Sequence, residues 1–217
     1  MNLANHDDVM AHIYASGYFT NHGPLAKQLE ETLQALFPID HAVVVGNESL
    51  ALIMALAGLN LRGRVGVSAD CPEFVSGAVA WAGLEAVAGP GNQPPDKLVA
   101  VLVCARRGTF PDPALLRHAQ SRDLPAVVYQ HGHFSRHLEP APVITVTSLG
   151  GHSEAPSAHC AAILTSDPAL AEKYRNIRSS YGARKIVDVR ATANGRVSEF
   201  QAGMALLFLQ NPRNQSG

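Results

Sequence analysis

The sequence predicts an α/β protein: a mostly parallel sheet of about seven strands with helices on both faces. Three observations carry this. Short β-branched runs alternate with helical stretches along the chain, the pattern of a layered α/β fold. Runs such as Leu98 to Cys104 are apolar on successive residues, as in strands covered on both sides. Proline follows a glycine or aspartate at several helix starts, where its missing N–H costs nothing. With 217 residues, 47% of them hydrophobic, the chain can bury one large core, and residues 1–210 are expected to form a single domain.

The elements follow in order. Asn5 to Ser16 reads as a short amphipathic helix, and Thr20-Asn-His-Gly-Pro24 is a turn whose proline opens a second helix through Phe37. Leu25, Leu29, Leu33 and Leu36 recur there at helical spacing. His41 to Gly46 is a buried strand, ending in Gly46-Asn-Glu-Ser49 before the helical run Leu50 to Leu59. Strand Arg64 to Ser68, helix Glu73 to Ala82 and strand Glu85 to Ala88 come next. The loop Gly89-Pro-Gly-Asn-Gln-Pro-Pro95 leads into the strand Leu98 to Cys104. A helix opens at Pro111-Asp-Pro113 and runs through Arg122. Strands are expected at Pro125 to Tyr129, Val143 to Thr147 and His159 to Thr165. Asp167-Pro168 caps a helix to about Arg178, Arg184 to Arg196 is irregular, Ser198 to Gln210 is helical, and Asn211 to Gly217 is a disordered tail.

Charge and composition exclude several functions. The 17 basic and 18 acidic residues nearly cancel, which leaves no footprint for nucleic acid. The longest apolar stretches fall far short of the roughly 20 residues that span a bilayer. Met1 to Asp8 carries no signal-peptide pattern, so a cytoplasmic location is expected. Cys71, Cys104 and Cys160 are scattered and odd in number, which argues against a disulfide framework. Cys160, inside an apolar strand, reads as a small buried hydrophobe.

In open α/β sheets, ligands gather beyond the carboxyl ends of the strands. The residues to watch are therefore Gly46 to Ser49, Ala69 to Pro72, Gln130 to His133 and Ser148 to Ser153. Gly46 to Ser49 suits a phosphate, with backbone N–H groups and the Ser49 hydroxyl at a helix N-terminus. Asn47 equally suits an ordinary N-cap.

Several segments, in one order, resemble the DegT/StrS family of pyridoxal phosphate (PLP) dependent nucleotide-sugar aminotransferases. They are Phe19-Thr-Asn-His-Gly-Pro-Leu25 to Glu30, Val45-Gly-Asn-Glu-Ser-Leu-Ala-Leu52, Trp81-Ala-Gly-Leu84, Ser148-Leu149, Ala162 to Asp167, and Asn194-Gly-Arg-Val-Ser-Glu-Phe-Gln-Ala202. The resemblance implies the large domain of the PLP-dependent aspartate aminotransferase superfold, with the family's small C-terminal domain absent. It also implies a homodimer, because Asn194 would complete a phosphate cup across a two-fold axis.

The resemblance also places the chemistry, and the chain departs from it there. The family needs a lysine aldimine, a carboxylate on the pyridine nitrogen and a stacked aromatic side chain. The carboxylate position aligns with Gln130, the lysine position with Ser153 beside His152, and the aromatic falls near Pro72 or Phe74. The phosphate side is better kept, in Asn47, Ser49, Ser148 and Asn194, and His133 matches the family's histidine. No covalent cofactor is expected; PLP or phosphate would bind non-covalently. The function implied is a truncated, non-transaminating homologue. It would bind a phosphorylated small molecule or nucleotide-sugar, or a partner protein such as a full-length homologue, in sugar or polysaccharide biosynthesis. The alternatives are a PLP-dependent sugar aminotransferase, or a lysine-free 3-dehydratase with His152 as base. A second alternative is a metal site among His131, His133, His137, His152 and His159, although these spacings match no standard motif and no metal is expected.

Overall fold

The computed structural model of the chain describes residues 3–88, 97–106, 111–131, 143–149 and 159–210. The expected Pro/Gly-rich loop and C-terminal tail lie outside them. The described elements are α1 (His6–Ser16), α2 (Pro24–Leu36), β1 (His41–Val45), α3 (Glu48–Gly58), β2 (Arg64–Val67), α4 (Phe74–Trp81), β3 (Glu85–Ala88), β4 (Leu98–Arg106), α5 (Pro113–Ser121), β5 (Ala126–His131), β6 (Val143–Leu149), β7 (Cys160–Thr165), α6 (Pro168–Ile177) and α7 (Glu199–Gln210). The helix starts obey the expected local chemistry. Pro24, Pro113 and Pro168 stand in the first turns of α2, α5 and α6, and Asn5, Asn47, Asp112 and Asp167 cap α1, α3, α5 and α6 through their side chains.

The strands form one seven-stranded sheet in the order β1-β7-β6-β5-β4-β2-β3. Strands β2 to β6 run parallel, while β7 is antiparallel to both β6 and β1. This is the expected mostly parallel sheet. Period-two alternation sorts its side chains between two covered faces. One face buries Val43, Leu102, Val127, Val146 and Ile163 under α3, α4 and α6. The other buries Val44 and Leu164 under α1, α2 and α7, and Val101, Val103 and Val128 under α5.

Strand β1 is an edge, and its outer side is closed by a buried ion cluster. Val44 donates its N–H to Glu30 Oε1 at 3.0 Å, and its carbonyl accepts from Arg178 Nη1 at 2.7 Å. Arg178 Nη1 also lies 2.7 Å from Glu30 Oε1, and His22 Nε2 lies 3.3 Å from Glu30 Oε2. Burial alone would raise the Glu30 carboxyl, but Arg178 and His22 overcome it and hold the group at about 2. The cluster thereby satisfies an edge that would otherwise be open to pairing.

The cysteine reading needs correction. Cys71 and Cys104 form a disulfide, their Cα atoms 5.1 Å apart, within the span such a bond requires. They are 33 residues apart in sequence, and only the parallel pairing of β2 with β4 brings them together. Cys160 is buried as expected, and burial pushes its thiol up to about 12.

Candidate functional site

The polar groups gather where the first turn of α3 meets the carboxyl ends of β5 and β6. The turn at Gly46 is held from the far end of the chain. Gly46 donates its N–H to the Gly195 carbonyl at 3.0 Å, and its own carbonyl accepts from Gln201 Nε2 at 3.1 Å. Two residues earlier, Glu199 aims its carboxylate at the start of α2, accepting from the N–H groups of Leu25 at 2.7 Å and Ala26 at 3.1 Å. The Ser-Glu-x-Gln segment thus fixes both the entry to α2 and the turn before α3.

Glu48, the first residue of α3, is the centre of the site. Its Oε1 accepts the Ser148 hydroxyl at 2.5 Å, and its Oε2 accepts the Tyr129 hydroxyl. The Tyr129 oxygen also lies 2.9 Å from His131 Nδ1. His131 Nδ1 lies 3.9 Å from Glu48 Oε2. Phe74 closes one side, its ring edge-on to Tyr129 at 6.0 Å and tilted to His131 at 6.1 Å. Glu48 and His131 remain about a quarter exposed in their side chains, so the group can be reached from solvent.

The expected site residues distribute as follows. Asn47 is the N-cap of α3, its Oδ1 accepting from Leu50 N at 2.8 Å, and Ser49 stands exposed in the same first turn. Ser148, read as a donor for phosphate, instead gives its hydroxyl to Glu48. Gln130, read as standing in for the ring carboxylate, is buried on the opposite face of the sheet, on the side of Val128. The β5 side chains that face α3 are Tyr129 and His131. Asn194 is exposed and accepts from Arg196 Nε at 2.8 Å. His133, His137, His152 and Ser153 lie outside the described residues. Of the histidine cluster, His131 bonds Tyr129 and His159 is exposed. Among the described residues no three His, Cys, Asp or Glu side chains are gathered to hold a metal. No described helix is long and apolar enough to cross a membrane.

Sequence reading gave Glu48 and Tyr129 no role, and it named His131 only as a candidate metal ligand. An acidic residue in the first helical turn reads as an ordinary partner of the helix dipole. The facing residues of β5 had one available signal: Val127 must face the core of α3, and counting in twos from it reaches Tyr129 and His131.

These residues do not fit a cofactor phosphate. At the helix terminus one backbone N–H is taken by Asn47 and the Ser148 hydroxyl is taken by Glu48. A phosphate dianion seated here would face the Glu48 carboxylate. On the ring side Tyr129 is a neutral phenol, where a pyridinium needs an anion.

No known family profile matches the chain. Over 85 residues it is 32% identical to a dTDP-4-amino-4,6-dideoxy-D-glucose transaminase from Escherichia coli, a match covering 39% of this chain and 23% of that protein. Among solved structures it is similar to DesI, determined with its TDP-sugar product, with a TM-score of 0.79 and 20% identity over 94% of this chain and 57% of that one. It is also similar to a DegT DnrJ EryC1 StrS aminotransferase from Brucella abortus, with a TM-score of 0.74 and 18% identity over 94% of this chain and 62% of that one. The chain thus spans less than two thirds of each. The fold is that of the large domain of PLP-dependent aminotransferases, as the sequence predicted.

Proposed function

We propose that this chain is a non-transaminating homologue of the DegT/StrS nucleotide-sugar aminotransferases that binds the sugar end of a nucleotide-sugar at the polar cluster around Glu48. The observation that supports it is the Glu48 carboxylate accepting both the Ser148 and the Tyr129 hydroxyls. Of the groups read as holding a phosphate, Ser148 gives its hydroxyl to Glu48 and Asn47 caps α3. What the group presents outward is a carboxylate, an imidazole and the Phe74 ring, with the Ser148 and Tyr129 hydroxyls buried behind them. Hydroxyl-rich, uncharged ligands match such a set, since their O–H groups donate to the carboxylate and their C–H faces pack on the ring. The homology covers the large domain, and we place the chain in nucleotide-sugar or polysaccharide metabolism, acting as a homodimer or with a full-length homologue.

Calorimetric titration with dTDP-glucose, dTDP and inorganic phosphate tests this reading. The sugar nucleotide should bind more tightly than dTDP, and Glu48→Gln should weaken it by about tenfold while leaving dTDP unchanged. Equal affinity for dTDP-glucose and dTDP, or saturable binding of inorganic phosphate abolished by Ser148→Ala, would overturn it.

A further inference from the structure

We infer that Cys71 and Cys104 form a reversible dithiol–disulfide pair that holds Phe74 against the Glu48–Tyr129–His131 cluster when oxidised and frees it when reduced. The placement carries the argument. Cys71 lies in the loop between β2 and α4, three residues before Phe74, and Cys104 lies on β4 directly beside Tyr129 in the parallel register. The bond therefore joins the strand beside Tyr129 to the segment that carries the Phe74 ring packed on it.

The same segment is tied to β4 by two weaker links. Ser68 Oγ accepts the Cys104 N–H at 3.1 Å and lies 3.4 Å from Cys71 Sγ. Arg106 donates from Nε and Nη2 to the Asp70 carbonyl at 3.0 and 2.8 Å. Neither is a covalent link. Reduction would leave the loop in place while removing the covalent limit on how far the start of α4 can move. The pair is thus set to adjust a position rather than to determine whether the chain folds.

Burial assigns the order of the chemistry. Cys104 is 1% exposed, whereas Cys71 is partly exposed, so a small disulfide such as oxidised glutathione meets Cys71 first. The Cys71 thiolate attacks one sulfur of that disulfide, forms a mixed disulfide and releases one thiolate. The Cys104 thiolate then attacks the Cys71 sulfur and expels the second. Two protein thiols are oxidised, one small disulfide is reduced to two thiols, and the two protons leave with those thiols.

The test equilibrates the full chain in glutathione buffers of varied oxidised-to-reduced ratio, quenches in acid, alkylates in denaturant and maps peptides. Cys71 and Cys104 should lose label together across a range of ratios, with Cys160 labelled throughout. The Val75 and Ser76 amides, bonded to the Pro72 and Glu73 carbonyls, should exchange about tenfold more slowly in the oxidised protein. Cys104→Ser should retain one glutathione, on Cys71. Both thiols remaining free at every ratio, a bond unaffected by every ratio, equal amide exchange in the two states, or no adduct on Cys104→Ser would each overturn the inference.

Discussion

Glu48 Oε1 accepts the Ser148 hydroxyl at 2.5 Å, joining the first turn of α3 to the carboxyl end of β6 across 100 residues of sequence. The contact occupies the Ser148 hydroxyl and holds a carboxylate beside the N-terminus of α3. Local chemistry makes this stable: an acid at a helix start faces unpaired N–H groups. Ser148→Ala should cost about 1 to 2 kcal/mol in urea unfolding, since the carboxylate keeps its Tyr129 partner. A loss of stability within error would show that the contact is not formed in solution.

The buried cap that Glu199 places on α2 should be the more costly one to break. Glu199→Ala would strand the Leu25 and Ala26 N–H groups, which it holds at 2.7 and 3.1 Å. The expected loss is about 2 to 4 kcal/mol. Gly23→Ala should also destabilise, by about 1 to 3 kcal/mol, because an added Cβ would lie 2.7 Å from both Glu199 Cδ and Tyr18 Cβ. Equilibrium unfolding of the two variants decides the matter, and a Gly23→Ala protein as stable as the parent would contradict it.

Acid should loosen the closed edge of β1. Glu30 titrates at about 2 in the folded chain against an ordinary 4.5, so its ionised form favours folding. That contribution, about 3 kcal/mol, is fully present above pH 5 and is lost as pH falls from 4.5 toward 2. Unfolding free energies measured between pH 6 and pH 3 should show the fall, and Glu30→Gln should flatten it. An unchanged pH slope in the variant would assign the fall to other carboxylates.

Association is expected to cover the exposed apolar side chains beside the Gly182 to Ser198 segment. Trp81 is 83% exposed and Ile186 73% exposed, more than a lone domain usually leaves uncovered together with Tyr181. Sedimentation at micromolar concentration should give a dimer, and Trp81→Ser with Ile186→Ser should give a monomer. A monomeric parent protein would contradict this.

Much of the fold was legible because its signals are local. Proline at the starts of α2, α5 and α6, aspartate and asparagine caps, and the uninterrupted apolar run of β4 each act within a few residues. The site was legible only as a region. Gln130 falls on the face of Val128, one position from Tyr129, which faces α3, and in a strand one position reverses the face. Glu48 offered no signal beyond that of a dipole partner. The joining of Cys71 to Cys104 depends on which strands lie side by side, and that order is set by packing across the whole sheet.

The central claim, that Glu48 takes the place of a cofactor phosphate, is tested most directly by titrating PLP into the parent protein and Glu48→Gly, with absorbance readout, borohydride reduction and peptide mapping. The parent should show no saturable binding and no reduced lysine adduct. Glu48→Gly, which frees Ser148 and removes the opposing charge, should gain saturable binding without a lysine adduct. Saturable PLP binding by the parent, fixed by borohydride to Lys27, Lys97, Lys173 or Lys185, would contradict the account.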